Sequence, residues 1–106
     1  MTNKVKKEVE KLIKEEELNC SVEEFEDKID WKYISIYQIL SEDFIKEFKD
    51  KVNWYCISCY QTLSEEFIYN MRNYINIDYC LRNNLITQEY IDKRKIVNRY
   101  DLMDLE

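Results

Sequence analysis

A 23-residue segment occurs twice in succession, and no other feature limits the fold of this chain more. Residues 30–52 read DWKYISIYQILSEDFIKEFKDKV and residues 53–75 read NWYCISCYQTLSEEFIYNMRNYI. Ten positions are identical, among them Trp31/Trp54, Ile34/Ile57, Ser35/Ser58, Tyr37/Tyr60, Gln38/Gln61 and Phe44/Phe67. A worn third copy, 76–98, keeps Asn76, Glu89 and Ile91, with Ile77, Ile86, Thr87 and Tyr90 as conservative matches. Phe25, Asp27, Lys28 and Ile29 align with Phe48, Asp50, Lys51 and Val52, so half a copy precedes the first. A unit this short cannot bury its apolar face alone and must stack on its neighbours.

Each copy divides into two short helices. Asp30, Asn53 and Asn76 are N-cap residues for the first, and Ser41, Ser64 and Thr87 for the second. Trp31, Ile34 and Tyr37, three apart, form the expected buried stripe of the first helix, with Tyr37 and Tyr60 in the core. Glu42-Asp43, Glu65-Glu66 and Gln88-Glu89 follow the second caps, where negative charge complements the helix dipole. Phe44, Ile45, Phe48 and Val52, and then Phe67, Ile68, Met71 and Ile75, supply the second apolar face. Tyr33-Ile-Ser-Ile-Tyr37 also alternates as a strand would. The caps and the lack of Gly and Pro favour helix, with Asn and Asp at the junctions supplying left-handed helix ends.

Ahead of the repeats, residues 4–18 read as an amphipathic helix with Val5, Val9, Leu12 and Ile13 on one stripe. Lys4/Glu8, Lys6/Glu10, Glu10/Lys14 and Lys11/Glu15 are opposite charges four apart on its other face. Ser21-Val-Glu-Glu24 is a capping box opening a short helix with Val22, Phe25 and Ile29 inward. The expected fold is all-α: a small array of short helices built from 23-residue two-helix repeats. It is read as a single domain over 1–106. Residues 1–29 hold the N-terminal helix and half repeat, 30–52, 53–75 and 76–98 the three copies, and 99–106 the C-terminal end. A helix from about Gln88 to Met103, with Ile91, Val97 and Tyr100 inward, is expected to close the array.

The 106 residues contain no Gly, Pro, His or Ala. Phosphate-cradling glycine loops and the strained elbow of serine hydrolases are therefore excluded. So are His-dependent triads and His-ligated metals. With the usual near-neutral proton carrier missing, the expectation is a protein that is not an enzyme, with no catalytic residues, no metal and no cofactor. No apolar run is long enough to span a membrane, nor does Met1 to Ile13 hold a signal core. Asn, Lys, Ile and Tyr together supply 43 residues, an AT-rich codon bias that points to a low-GC genome such as a phage, a large DNA virus or a low-GC bacterium.

The phrase W-x-x-I-S-x-x-Q-x-L-S-E-x-F-I, carried by Trp31, Ile34, Ser35, Gln38, Leu40, Ser41, Glu42, Phe44 and Ile45, resembles short tandem repeats of hypothetical proteins from phages and large DNA viruses. The likeness covers 30–75 well and 76–98 poorly. It departs where Lys46-Glu47 becomes Tyr69-Asn70. It implies a viral or mobile-element origin and no activity.

Cys56 and Cys59 form C-x-x-C, a motif of zinc sites and redox pairs. They replace Tyr33 and Ile36, which bind no metal, and Cys80 falls at the position of Ile34 and Ile57, where a small core hydrophobe is expected. Intracellular location would keep all four thiols reduced. Tyr55 and Tyr69 replace Lys32 and Lys46 and are expected to face solvent, as interface tyrosines do. Net charge is −6, with 22 acidic and 16 basic residues. Glu42, Asp43, Glu65 and Glu66 recur at one repeat period as a ladder of negative charge, which helix-start chemistry alone also explains. Direct nucleic-acid binding is disfavoured by that charge, although Lys93-Arg94-Lys95 with Arg99 is locally basic.

Together these features lead us to expect an acidic protein-binding module of phage or viral origin in the host cytoplasm. It would inhibit a host protein, such as a basic nucleic-acid-binding defence nuclease, through Glu42, Asp43, Glu65, Glu66, Tyr55 and Tyr69. The alternative is a self-associating scaffold without a host target. Neither membrane nor nucleic acid is an expected partner, and the oligomeric state is left open.

Overall fold

A computed structural model describes residues 1–97, and they contain eight helices and no strand. These are α1 (Asn3–Glu15), α2 (Phe25–Lys28), α3 (Trp31–Tyr37), α4 (Glu42–Glu47), α5 (Trp54–Tyr60), α6 (Glu65–Asn70), α7 (Ile77–Arg82) and α8 (Gln88–Arg94). The fold is all-α, and the alternating run Tyr33–Tyr37 is helix. The first helices of the three copies start at 31, 54 and 77, and the second at 42, 65 and 88. The 23-residue register thus holds even in the worn copy. Internal contacts group the chain into two compact units, Met1–Asn53 and from Trp54 onward, divided at the junction of the first two full copies.

Polar caps set this register. The side chains of Asp30 and Asn76 accept from the backbone N–H groups of Tyr33 and Tyr79 at 3.0 and 3.1 Å. Ser41, Ser64 and Thr87 do the same for Phe44, Phe67 and Tyr90 at 3.1–3.2 Å. Each satisfies one donor that the first turn would otherwise leave open. The Ser21–Glu24 box closes as well, but it caps a turn, and the helix proper begins only at Phe25. The Ser21 N–H and hydroxyl on the Glu24 carboxylate, aided by Lys28, hold its pKa below the usual value.

Helix ends are made without glycine. Glu17, Asn84 and Lys95 adopt φ of 55, 59 and 52°. At each, the next residue is apolar and donates back into the last turn: Leu18 to Ile13, Leu85 to Cys80 and Ile96 to Ile91. That is the Schellman arrangement, with an apolar residue closing over the end. Asn84 alone is of the residue type expected at such ends, and the junction residues Asp30 and Asn76 are extended N-caps instead. The left-handed Glu17 stops α1 at Glu15 rather than residue 18. Lys95 stops α8 at Arg94 rather than Met103, so Ile96 is buried while Val97, expected inward, is exposed. Tyr100, Met103 and Arg99 lie outside the described residues.

In the first unit, Val5, Val9 and Leu12 of α1 are buried and α1 packs on α4. The core holds an aromatic cluster of Phe25, Trp31, Phe44 and Phe48, with centroids 4.8–6.2 Å apart. The Trp31 indole N–H donates to the Glu26 carbonyl at 3.0 Å. In the second unit α5 packs on α7, Met71 stands where Phe48 does, and Trp54 stacks on Tyr74 instead. All eight residues expected on the second apolar face of the two full copies are buried.

The stripe on the first helix of each copy differs from expectation. Tyr37 and Tyr60 are 69% and 61% exposed, and Ser35 and Ser58 are fully buried in their place. The reason is helical phase. At about 100° per residue, Ser35 and Gln38 fall within about 40° of Trp31, whereas Tyr37 lies about 120° round the helix. Burial of the serines is matched by hydrogen bonding. The Ser35 hydroxyl donates to the Trp31 carbonyl at 2.6 Å and accepts from the Asn53 N–H at 3.3 Å. Ser58 repeats this with Trp54 at 2.7 Å and Asn76 at 3.1 Å. In both full copies one serine therefore ties the first helix to the start of the next copy, 18 residues on.

Candidate protein-binding surface

The carboxylates that follow the second caps have different fates. Asp43 is exposed and sits 3.8 Å from Lys4, and Glu42 is half-buried. Glu65, also half-buried, accepts from the Thr87 N–H at 3.4 Å, a structural bond inside the second unit. Glu66 is exposed. A related bond occurs in the first unit, where Glu8 accepts from both the Ser41 N–H (3.0 Å) and hydroxyl (2.6 Å). Glu8 thus serves the α4 cap, and Lys4 turns to Asp43. Of the four charge pairs expected along α1, the ion pair formed is Lys11–Glu15 at 3.7 Å.

Negative charge is concentrated elsewhere. Residues 15–30 hold eight carboxylates and one lysine, a net −7 against −6 for the whole chain. Glu17, Glu23, Glu26 and Asp27 are exposed on this stretch. Reading by repeat period hid it, because it precedes the first full copy; a running charge count finds it.

The tyrosines divide as well. Tyr55 is 60% exposed, as expected from its replacement of Lys32. Its hydroxyl bonds with that of Tyr79, which raises its pKa above the ordinary value, with charge repulsion from Tyr79 adding to the effect. The two rings meet edge to face at 5.1 Å. Tyr69, expected to face solvent, is half-buried beneath Arg72 and Arg94, whose guanidinium carbons lie 4.5 and 4.9 Å from its ring centroid. Guanidinium stacking of this kind covers the ring. In the first unit, Tyr33 and Tyr37 stack at 4.8 Å and both are exposed. Two residues on, Ile39 is 97% exposed. It stands at the lip of a groove of about 410 Å³ between Lys7, Lys11 and Leu12 of α1 and the Gln38–Ser41 connection. Gln38 donates to Glu16 at 2.7 Å on the same side.

The cysteines are all free thiols. Cys80 is fully buried, which pushes its pKa up to about 12, with Cys59 adding to the effect. Burial also raises Cys59, with Cys56 second. Thiolates, the form that attacks or binds metal, are disfavoured at both. Among the described residues no three His, Cys, Asp or Glu side chains converge on a point a metal ion would occupy. Nor is any described helix long and apolar enough to cross a membrane.

No protein-family model matches the chain, and no curated protein or solved structure is similar to it.

Proposed function

We propose that this chain is a non-enzymatic, acidic protein-binding module of phage or viral origin. It acts in the host cytoplasm, where it occupies a basic surface of a host protein such as a nucleic-acid-handling defence nuclease. The observation that carries the reading is the uncovered ridge of Tyr33, Tyr37 and Ile39 in the first unit. Two stacked tyrosines beside an isoleucine open to water form an adhesive apolar surface rather than scattered single exposures. The acidic stretch 15–30 belongs to the same unit and supplies charge that would speed encounter with a basic partner. Tyr55 adds an exposed ring in the second unit. Asp43 and Glu66 are the exposed carboxylates of the repeat-spaced ladder.

Capture from a nuclease-treated lysate of a low-GC bacterium tests this. The tagged chain is expected to retain one dominant nucleic-acid-handling protein at low salt and release it at high salt. Tyr37→Ser with Ile39→Ser, both solvent-facing changes, should abolish retention while the circular dichroism stays unchanged. Retention by that variant at wild-type strength, or no host protein at all, would refute the assignment.

A further inference from the structure

Every arginine among the described residues rests on a tyrosine ring, and none pairs with a described carboxylate. Arg72 and Arg94 share Tyr69; Arg94 also lies 5.5 Å from the Tyr90 centroid, and Arg82 lies 5.9 Å from that of Tyr79. The four ion pairs of the described residues use lysines and the N-terminus. This occurs in a chain whose acids outnumber its bases 22 to 16. Stacking occupies the face of a guanidinium and leaves its edge N–H groups for a bidentate carboxylate. Arg72 also donates one Nη1–H to the Tyr69 carbonyl at 2.9 Å, which fixes its plane. Arg72 and Arg94 are therefore a pair of forks gathered on one ring, with no acid acceptor among the described residues.

Acceptors of the right kind stand in the first unit. Within 15–30, Glu15 pairs with Lys11, Glu16 takes Gln38 and Glu24 takes Ser21. Glu23, Glu26 and Asp27 are exposed, and none of them is in an ion pair among the described residues. We propose that a second copy of the chain fills the arginine pair: Arg72 and Arg94 of one molecule take the carboxylates of Glu23, Glu26 and Asp27 of the next. Two different surfaces meet, so the association is head to tail. Each added molecule presents a fresh end unless a ring closes. The contacts are exposed charges, so salt weakens them. Host-protein capture uses the same acidic stretch only to speed encounter and depends on the Tyr37–Ile39 ridge, which self-association does not use, so the ridge and arginine variants separate the two.

Sedimentation velocity of the full chain, at about 0.02 M and about 0.5 M salt, reads the outcome directly. At low salt the average mass should rise with concentration through the micromolar range, reaching about twofold the monomer or more. At high salt it should fall back. Arg72→Gln with Arg94→Gln, and separately Glu23→Gln with Glu26→Gln and Asp27→Asn, should each stay monomeric at low salt. Mixed together, the two variants retain one competent end each, and the mixture should stop at the dimer. The acidic side chains are fully outside the core, so that variant decides the matter even if the arginine variant loses helix by circular dichroism. A wild-type chain that remains monomeric at low salt, or association that survives the acidic substitutions, overturns the proposal.

Discussion

Helices α4 and α8 begin at the same point of the 23-residue repeat, each behind a hydroxyl cap that accepts from the N–H three residues on. At that third position α4 carries Phe44, wholly enclosed among Phe25, Trp31 and Phe48, whereas α8 carries Tyr90, half-buried beside Arg94. Phe67 of α6 is the intermediate case, buried but in a unit where Met71 replaces the second phenylalanine. The caps have kept their chemistry through all three copies while the core has drifted from aromatic to mixed. Register in this chain therefore depends on short polar bonds at helix starts, and stability depends on how much apolar surface each copy encloses. The two can be attacked separately.

Phe44→Ala gives the largest expected effect. It removes a fully buried ring from the aromatic cluster, at a cost of about 3–5 kcal/mol. That is a large share of the stability of a domain this size. Tyr90→Ala, at the matching position, removes a half-buried ring and should cost about 1–2 kcal/mol. Urea unfolding followed by circular dichroism measures both. Equal costs would break the comparison, since they would mean that the worn copy contributes as much core as the first full one.

Second in size are Ser35→Ala and Ser58→Ala. Each deletes a buried hydroxyl that bonds a helix carbonyl and the first N–H of the next copy, and each should cost about 1–2 kcal/mol even after the gain in helix propensity. The third copy carries Leu81 at this position and has no such tie to lose. If either serine can be replaced at no cost in urea midpoint, the copy-to-copy bond is incidental to stability.

These serines also mark what could be read from the sequence and what could not. Cap positions, helix count in the repeats and the second apolar face were legible, because caps are local and the i, i+1, i+4 pattern of Phe44, Ile45 and Phe48 has one helical solution. The face of the first helix was not. Trp31, Ile34 and Tyr37 are the larger apolar side chains, but hydrophobicity favoured a three-residue step that drifts off the buried side, and polarity hid Ser35 and Gln38 on it. Helix ends were missed for a related reason. Glu17 and Lys95 take the left-handed conformation that Gly or Asn usually signals, and only the apolar Leu18 and Ile96 that follow hint at it. At the surface, the repeat alignment exposed Glu42, Asp43, Glu65 and Glu66, but it could not tell that Glu65 bonds Thr87. It also passed over the acidic stretch, most of which precedes the first full copy.

The smallest expected effect is the sharpest test of the opening comparison, because its sign is unusual. The Tyr90 hydroxyl is enclosed and has no hydrogen-bond partner among the described residues. An enclosed hydroxyl left without a partner carries a desolvation cost that a phenylalanine at the same place would not. Tyr90→Phe should therefore stabilise the chain, by about 1 kcal/mol. That corresponds to a rise in Tm of roughly 4–8 °C for a chain of this length. The ring and its contact with Arg94 are retained, so the change isolates the hydroxyl. The reverse exchange, Phe44→Tyr, places a hydroxyl in a fully enclosed aromatic cluster and should destabilise by about 1–3 kcal/mol. Opposite signs from the same atom at equivalent positions would mean that the third copy is under-optimised relative to the first. A loss of stability on Tyr90→Phe would instead assign the hydroxyl a bond that stabilises the fold, and the drift seen at α8 would then be adaptation to that bond.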